Sequence, residues 1–198
     1  MTKVSLDSIQ KLRNMTGLGM LDCKKALEEA NGDVEKAIEH LRKRGAALAD
    51  KRADRETTQG VIVSYIHPGD QTGVMVELNC ETDFVARTQD VKDIARDIAM
   101  HIAASKPAVV SPEEVDEAYL AKEKEIATEQ LKAQGKPANM IEKILEGKLS
   151  KLASEVSLLK QPFVKNEQKT IEDILKELSA KTGENIRVKR FARFEIGN

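Results

Sequence analysis

Cysteine and histidine, the side chains that most often supply a nucleophile, a base near neutral pH or a zinc ligand, are few in this chain of 198 residues, and they are scattered. Its two cysteines, Cys23 and Cys80, lie far apart with no Cys-x-x-Cys spacing, and its three histidines, His40, His67 and His101, are equally dispersed. Four-ligand zinc sites usually bring paired ligands close in sequence, and none are paired here, so neither a metal nor a cofactor is expected. A nucleophilic Cys80 served by His67 or His101 would need an orienting partner and an oxyanion or cofactor motif, and the sequence writes neither. The plain reading is two reduced, buried thiols; a redox pair would require the fold to bring both sulfurs together. Thr82-Asp83-Phe84-Val85 stands where a strand gives way to a helix. On residue types alone, Thr82 or Asp83 is an N-cap and Phe84 fills the core beneath the first turn.

Composition narrows the classes further. The chain is 33% charged and 3% aromatic with no Trp, and its 32 basic and 33 acidic side chains leave a net charge of −1. Wrapping nucleic acid through bulk positive charge is therefore not expected, and helices with salt-bridged outer faces are. No stretch approaches the ~18 apolar residues of a membrane span. The start, Met-Thr-Lys-Val-Ser, lacks the apolar run of a secretory signal, so a soluble cytoplasmic protein is expected. A chain of this length can bury roughly 70% of its unfolded surface without staples.

The elements that must position these residues follow from periodicity. Ser5 caps a helix with Leu6, Ile9 and Leu12 at helical spacing, and Thr16-Gly17-Leu18-Gly19 breaks it. A second helix runs from about Met20 to Ala30, with Leu21, Lys24, Leu27 and Glu28 stepping along it. Asn31-Gly32 stops that helix, and Asp33 caps a third carrying Val34, Ala37, Ile38 and Leu41. Residues 1–45 thus read as a three-helix domain closed by Gly45, and polar residues 46–59 as a linker or an exposed helical extension. Gly60 to Ile66 and Gly73 to Cys80 alternate around His67-Pro68-Gly69-Asp70, which is the pattern of a β-hairpin. Val91, Ile94, Ala95, Ile98, Ala99 and Ile102 then repeat at 3.6 residues. Two amphipathic helices around Gly135-Lys136-Pro137 predict an antiparallel helical hairpin inserted at about 112–158. Residues 161–169 read as a loop, and Thr170 with Asp173 as a capping-box-like helix start. In the tail, Ile186, Val188, Arg190, Ala192, Phe194 and Ile196 share one face of a strand. Residues 60–198 therefore predict an α+β core, a small antiparallel sheet packed with helices and completed by this strand.

Four blocks carry a family resemblance. Leu12-Arg13, Thr16-Gly17, Gly19-Met20 and Asp22-Cys23-Lys24-Lys25-Ala26-Leu27 continue through Ala30-Asn31-Gly32-Asp33, Lys36-Ala37-Ile38 and Leu41-Arg42-Lys43. Glu77-Leu78-Asn79-Cys80-Glu81-Thr82-Asp83-Phe84-Val85-Ala86 is the second block. Ile98 to Pro107 and Glu155 to Phe163 are the third and fourth. In this order they resemble the elongation factor Ts family. The likeness implies a ubiquitin-associated-like three-helix N-terminal domain. Longer members carry two core subdomains and this chain has room for one, so it resembles the short form. Some short members work as homodimers, in which a second copy supplies the missing surface.

The resemblance implies guanine nucleotide exchange on elongation factor Tu, the GTPase that delivers aminoacyl-tRNA to the ribosome. Such a factor performs no bond chemistry. It binds the GTPase better without nucleotide than with it, and by linkage weakens nucleotide binding by the same factor. The matching Asp83-Phe84 pair would be pushed between helices of the GTPase near its nucleotide and Mg²⁺ site, flanked by Thr82 and Val85. An aromatic wedge suits that task because it buries much area at little rotamer cost. His101 matches a histidine that contacts the GTPase near its phosphate-binding region. Arg13, Met20 and Leu21 match positions that grip the nucleotide-binding domain, although Met20 and Leu21 would otherwise read as core of the second helix, and Lys24 is either a further contact or a solvated charge.

Three other readings compete. Arg42-Lys43-Arg44, Lys51-Arg52 and the run from Arg187 to Arg193 are basic clusters, but Phe191 alone interleaves them, and no direct nucleic-acid partner is expected. A cysteine enzyme lacks its orienting groups. A generic three-helix scaffold accounts for residues 1–45 and leaves the other blocks unexplained.

Overall fold

The computed structural model describes residues 4–197, with Asn139 described by its backbone alone. Met1-Thr2-Lys3, where the reading of the N-terminus begins, and Asn198 lie outside the described residues. The chain divides into two compact units. The first comprises the chain through Val61 with Leu78–Lys92 and Asp173–Arg187; the second comprises Ile62–Glu77, Asp93–Glu172 and the chain from Val188.

Helices α1 (Leu6–Thr16), α2 (Met20–Glu29) and α3 (Val34–Arg52) open the first unit. Ser5 caps α1 by accepting from the Ser8 N–H, and Gly17 closes it at φ +70°, a left-handed conformation that costs a glycine nothing. Asp33 caps α3 by accepting from the N–H groups of Glu35 and Lys36. Ile9, Leu12, Cys23, Ala26, Leu27, Ala30, Ala37 and Leu41 form the shared core. On α2 the buried set is Cys23, Ala26 and Leu27, continued by the C-cap Ala30, an i, i+3, i+4, i+7 face. The expected stepping through Leu21, Lys24 and Glu28 lies outside it, as these three are exposed. Leu6, expected with Ile9 and Leu12, is exposed as well.

Gly45, expected to close the three-helix unit, lies inside α3, which continues through the polar stretch to Arg52. A Cβ at Gly45 would stand 2.9 Å from the Cβ of Ala180, so the absence of a side chain permits close helix packing there. Ala180 belongs to α8 (Ile171–Thr182) of the same unit.

Strands β1 (Gln59–Ile66), β2 (Thr72–Cys80) and β5 (Arg187–Glu195) form a small antiparallel sheet with β2 central. The β1–β2 turn carries Gly69 at φ +98° and Asp70 at φ +57°, residues that tolerate the left-handed region. Val74, Val76, Leu78 and Cys80 of β2 are buried, as the alternation predicts. In β5 the alternation slips. Lys189 and Arg190 are both exposed, after which Phe191, Arg193 and Glu195 are part-buried while Ala192 and Phe194 face outward. Ile186 and Val188 are buried and so do not share the outward face of Arg190, Ala192, Phe194 and Ile196. Two charged residues stand on the part-buried side, paired with each other and with Lys106. Arg193 Nη1 donates to Glu195 Oε2 at 3.0 Å, and Lys106 Nζ donates to both Glu195 oxygens.

The four-residue helix α4 (Asp83–Ala86) and α5 (Gln89–Ser105) follow β2. Val91, Ala95, Ile98, Ala99 and Ile102 are fully buried along α5. The predicted helical hairpin is α6 (Glu117–Ala133) and α7 (Ala138–Val156), joined through Gly135 at φ +70° and packed on Leu131, Ile141 and Leu145. The expected loop at 161–169 instead contains a two-stranded antiparallel ribbon, β3 (Pro162–Phe163) with β4 (Asn166–Thr170). A two-residue strand beginning with proline has no periodicity to read. Among the described residues no helix is long and apolar enough to cross a membrane.

Candidate partner-binding surface

Thr82-Asp83-Phe84-Val85 is a cap followed by one turn of helix. Thr82 is the N-cap, extended at φ −123° and ψ 156°, and its Oγ1 accepts from the Val85 N–H at 3.4 Å. Asp83 therefore does not cap. It occupies the first helical position, and its carboxylate pairs with Arg87 Nη2 at 2.9 Å. Phe84 does not fill the core, being 80% exposed, and it projects from a turn whose buried floor is Ala86. Thr88 Oγ1 donates to the Val85 carbonyl at 2.7 Å.

Behind this turn stands a residue that sequence reasoning missed. Glu184 Oε2 accepts from the N–H groups of Glu81 and Thr82 at 3.1 and 3.0 Å, and its Oε1 accepts from Thr82 Oγ1 at 2.6 Å. In return, Glu81 Oε1 accepts from the Asn185 N–H at 2.6 Å. Asn185 Nδ2 donates in turn to the carbonyls of Ala53 and Arg55. No local pattern signals a pairing across some hundred residues; the negative charge of Glu184 just after Gly183 is the sole trace.

Arg13, Met20, Leu21 and Lys24 all lie exposed in the same unit. Leu21 is 74% exposed, so the reading of Met20 and Leu21 as core of the second helix does not describe them. Lys24 is loosely paired with Glu28 at 3.8 Å. Met15 is a further exposed apolar side chain of α1 that was not singled out.

His101, expected as a contact, belongs to the second unit and is fully buried. Its Nε2 lies 3.0 Å from Gln161 Oε1, and Nδ1 accepts from the Val164 N–H at 3.3 Å. A backbone N–H can only donate, so Nδ1 is unprotonated and the proton sits on Nε2, facing Gln161. Burial pushes the imidazole pKa down, opposed by the hydrogen bond to Gln161. A neutral ring wedged against Phe163 orders its own unit; it offers no surface to a partner.

Cys23 and Cys80 are both buried and free. The Cys80 thiol donates to the Thr82 carbonyl at 3.1 Å, and burial followed by the charge of Glu184 pushes its pKa up. A thiol held protonated in this way is a poor nucleophile.

Comparison with known proteins gives the same direction. The family model described as Elongation factor TS matches residues 5–198. The chain is 55% identical to Elongation factor Ts of Carboxydothermus hydrogenoformans, over 98% of this chain and 89% of that protein. It is 55% identical to Elongation factor Ts of Thermosipho melanesiensis, over 98% of this chain and 99% of the relative. Against Elongation factor Ts of Thermotoga maritima it is 54% identical over 98% of this chain and 97% of the relative. A match of this extent spans every element described above, and the chain therefore belongs to the elongation factor Ts family of translation elongation factors.

Proposed function

We propose that this chain is a guanine nucleotide exchange factor that acts by binding elongation factor Tu in the cytoplasm, with no bond chemistry of its own. Phe84 carries the reading: a large aromatic, 80% exposed, stands on one helical turn whose base is pinned by hydrogen bonds. Exposing such a ring serves nothing in the free chain, whereas a partner that buries it gains a hot-spot contact. Phe84 enters between helices of the GTPase, and Asp83 brings its carboxylate toward the hydrogen-bond shell of the Mg²⁺. Thr82 and Val85 frame the wedge. Arg13, Met20, Leu21 and Lys24 hold the nucleotide-binding domain. Since the factor prefers the nucleotide-free GTPase, it must lower the affinity for GDP by the same ratio. The buried His101 is left out of this contact set.

The test is release of a fluorescent GDP analogue from elongation factor Tu across a concentration series. Wild type should accelerate release and saturate. Phe84→Ala should melt within a few degrees of wild type, because an exposed side chain contributes little to folding. Its maximal release rate should fall by roughly thirty-fold, the equivalent of about 2 kcal/mol. Unfolding of that variant by circular dichroism would make Phe84 structural. No acceleration by the folded wild type would leave a binding scaffold, and RNA binding with steep salt dependence would revive the nucleic-acid reading.

A second reading concerns assembly, and the outward face of the sheet favours it. Ile62 and Ile66 of β1, Met75 of β2 and Phe194 and Ile196 at the end of the chain are all exposed in the second unit. A homodimer formed through this face covers an apolar surface that a monomer leaves in water.

A further inference from the structure

An isolated four-residue helix has no cooperative stability, because nucleating it fixes several residues for a single hydrogen bond. Phe84 supplies no packing to orient it, being exposed, and Ala86 is the one buried residue of the turn. Downstream, the turn is tied by the Thr88 hydroxyl on the Val85 carbonyl and by the Asp83–Arg87 pair; upstream, its direction is set at the backbone of Glu81 and Thr82. Both N–H groups there donate to one carboxylate oxygen of Glu184, and the Thr82 hydroxyl donates to the other. The reciprocal bond from the Asn185 N–H to Glu81 closes the pair of loops, so that each loop's carboxylate holds the other's backbone. Asn185 is itself buried and ties this arrangement to the carbonyls of Ala53 and Arg55.

We infer that Glu184 is a positioning residue, which fixes the cap at Thr82 and thereby aims the Asp83–Phe84 turn at the partner. The inference rests on the exchange reading above. Glu184 need not touch the GTPase. It acts by keeping the wedge in its productive direction before the partner arrives, so its loss lowers the maximal rate of nucleotide release while leaving the remaining contacts to set affinity.

The experiment compares full-length wild type, Glu184→Ala and Glu184→Gln by two readouts. Amide hydrogen exchange of the free protein reports the clamp. Release of the GDP analogue from elongation factor Tu reports the function, with maximal rate and half-saturating concentration measured separately. Glu184→Ala should lose protection at the Glu81 and Thr82 amides and keep it at Ile98. Its maximal release rate should fall on the order of tenfold, about the loss of one charge-assisted hydrogen bond, with the half-saturating concentration nearly unchanged. Glu184→Gln should restore both, since its carbonyl can accept from the two N–H groups while its amide donates to Thr82 Oγ1. A wild-type release rate in Glu184→Ala, or equal loss in both variants, overturns the inference. If Glu184→Ala unfolds throughout, Glu184→Gln decides it: native release with unprotected amides at 81 and 82 also overturns it. Lost protection in Glu184→Ala alongside a wild type that does not accelerate release would discard the exchange reading and keep the clamp as structure only.

Discussion

Once both nitrogens of a buried imidazole are committed, pH becomes a variable of stability. His101 is neutral in the fold, and burial sets its pKa below the ordinary 6.5. The unfolded chain therefore takes up a proton first as pH falls, so the stability from this site is full above about 6.5 and is lost below it. Glu195 works in a lower window. Its pKa is held down at about 2 by the hydrogen bond from Arg193 and then that from Lys106, so its contribution is full above about 4.5 and is lost as pH falls toward 2. Between pH 7.5 and 5.5 the imidazole of the unfolded chain takes up its proton, whereas Glu195 stays ionised in both states above about 4.5. Urea unfolding should give wild type a lower midpoint at pH 5.5 than at 7.5, and His101→Leu should flatten that difference. At pH 7.5 His101→Leu should also cost about 1–3 kcal/mol, because the Val164 N–H loses its acceptor and Gln161 its partner. An unchanged pH slope in the variant would remove His101 from the account. Among the candidate site residues, sequence could name Asp83 and Phe84 but could not orient them, since a helix of four residues has no period. It gave His101 only as a contact, because the partners it bonds, Gln161 and Val164, come from a distant segment. Glu184 was illegible for the same reason.

At the level of elements, two helical glycines test the same chemical change in opposite directions. Gly45 sits in α3 where an added Cβ would meet the Ala180 Cβ at 2.9 Å; Gly147 sits in α7, where an added Cβ would meet nothing within 4 Å. Alanine is favoured over glycine in a helix by up to about 1 kcal/mol. Gly147→Ala should therefore stabilise by up to that amount. Gly45→Ala gains the same preference but forces two packed helices apart, a strain of about 1–3 kcal/mol, and should destabilise. Thermal melts of both variants check the signs; a stabilising Gly45→Ala would mean that α3 and α8 yield easily. That contrast also explains which elements were legible. The β1–β2 hairpin and the stripe of α5 have strong periods and come out as the sequence reads. Gly45 reads locally as a stop, and its actual role depends on Ala180, a residue far along the chain. Beyond the slip in β5 the part-buried side carries Arg193 and Glu195, whose charges are legible in the sequence while their pairing with each other and with Lys106 is not.

For the whole molecule, the open question is what covers the outward face of the sheet. Five large apolar side chains stand exposed there: Ile62, Ile66, Met75, Phe194 and Ile196. The charges beside them, Glu77 and Arg190, pair with each other at 2.7 Å. Ile66 packs over Gly73, where a Cβ would come to 3.0 Å of its Cδ1, which keeps the face flat at that point. An apolar face is matched by an equal one, and sheets pack face to face at about 10 Å with interleaved side chains. A two-fold axis would let one patch serve both subunits and leave no further copy to add, so an assembly built through this face would close at two. Sedimentation equilibrium should give twice the chain mass of 21.9 kDa at high concentration and dissociation on dilution. Phe194→Lys, at a position 69% exposed in the chain, should fold as wild type and weaken the dimer at least thirty-fold, the mark of a hot-spot residue. A wild type that stays at a single chain mass across the whole range would sink the dimer and leave this face to a different partner. A dimer indifferent to Phe194→Lys would move the interface elsewhere on the chain.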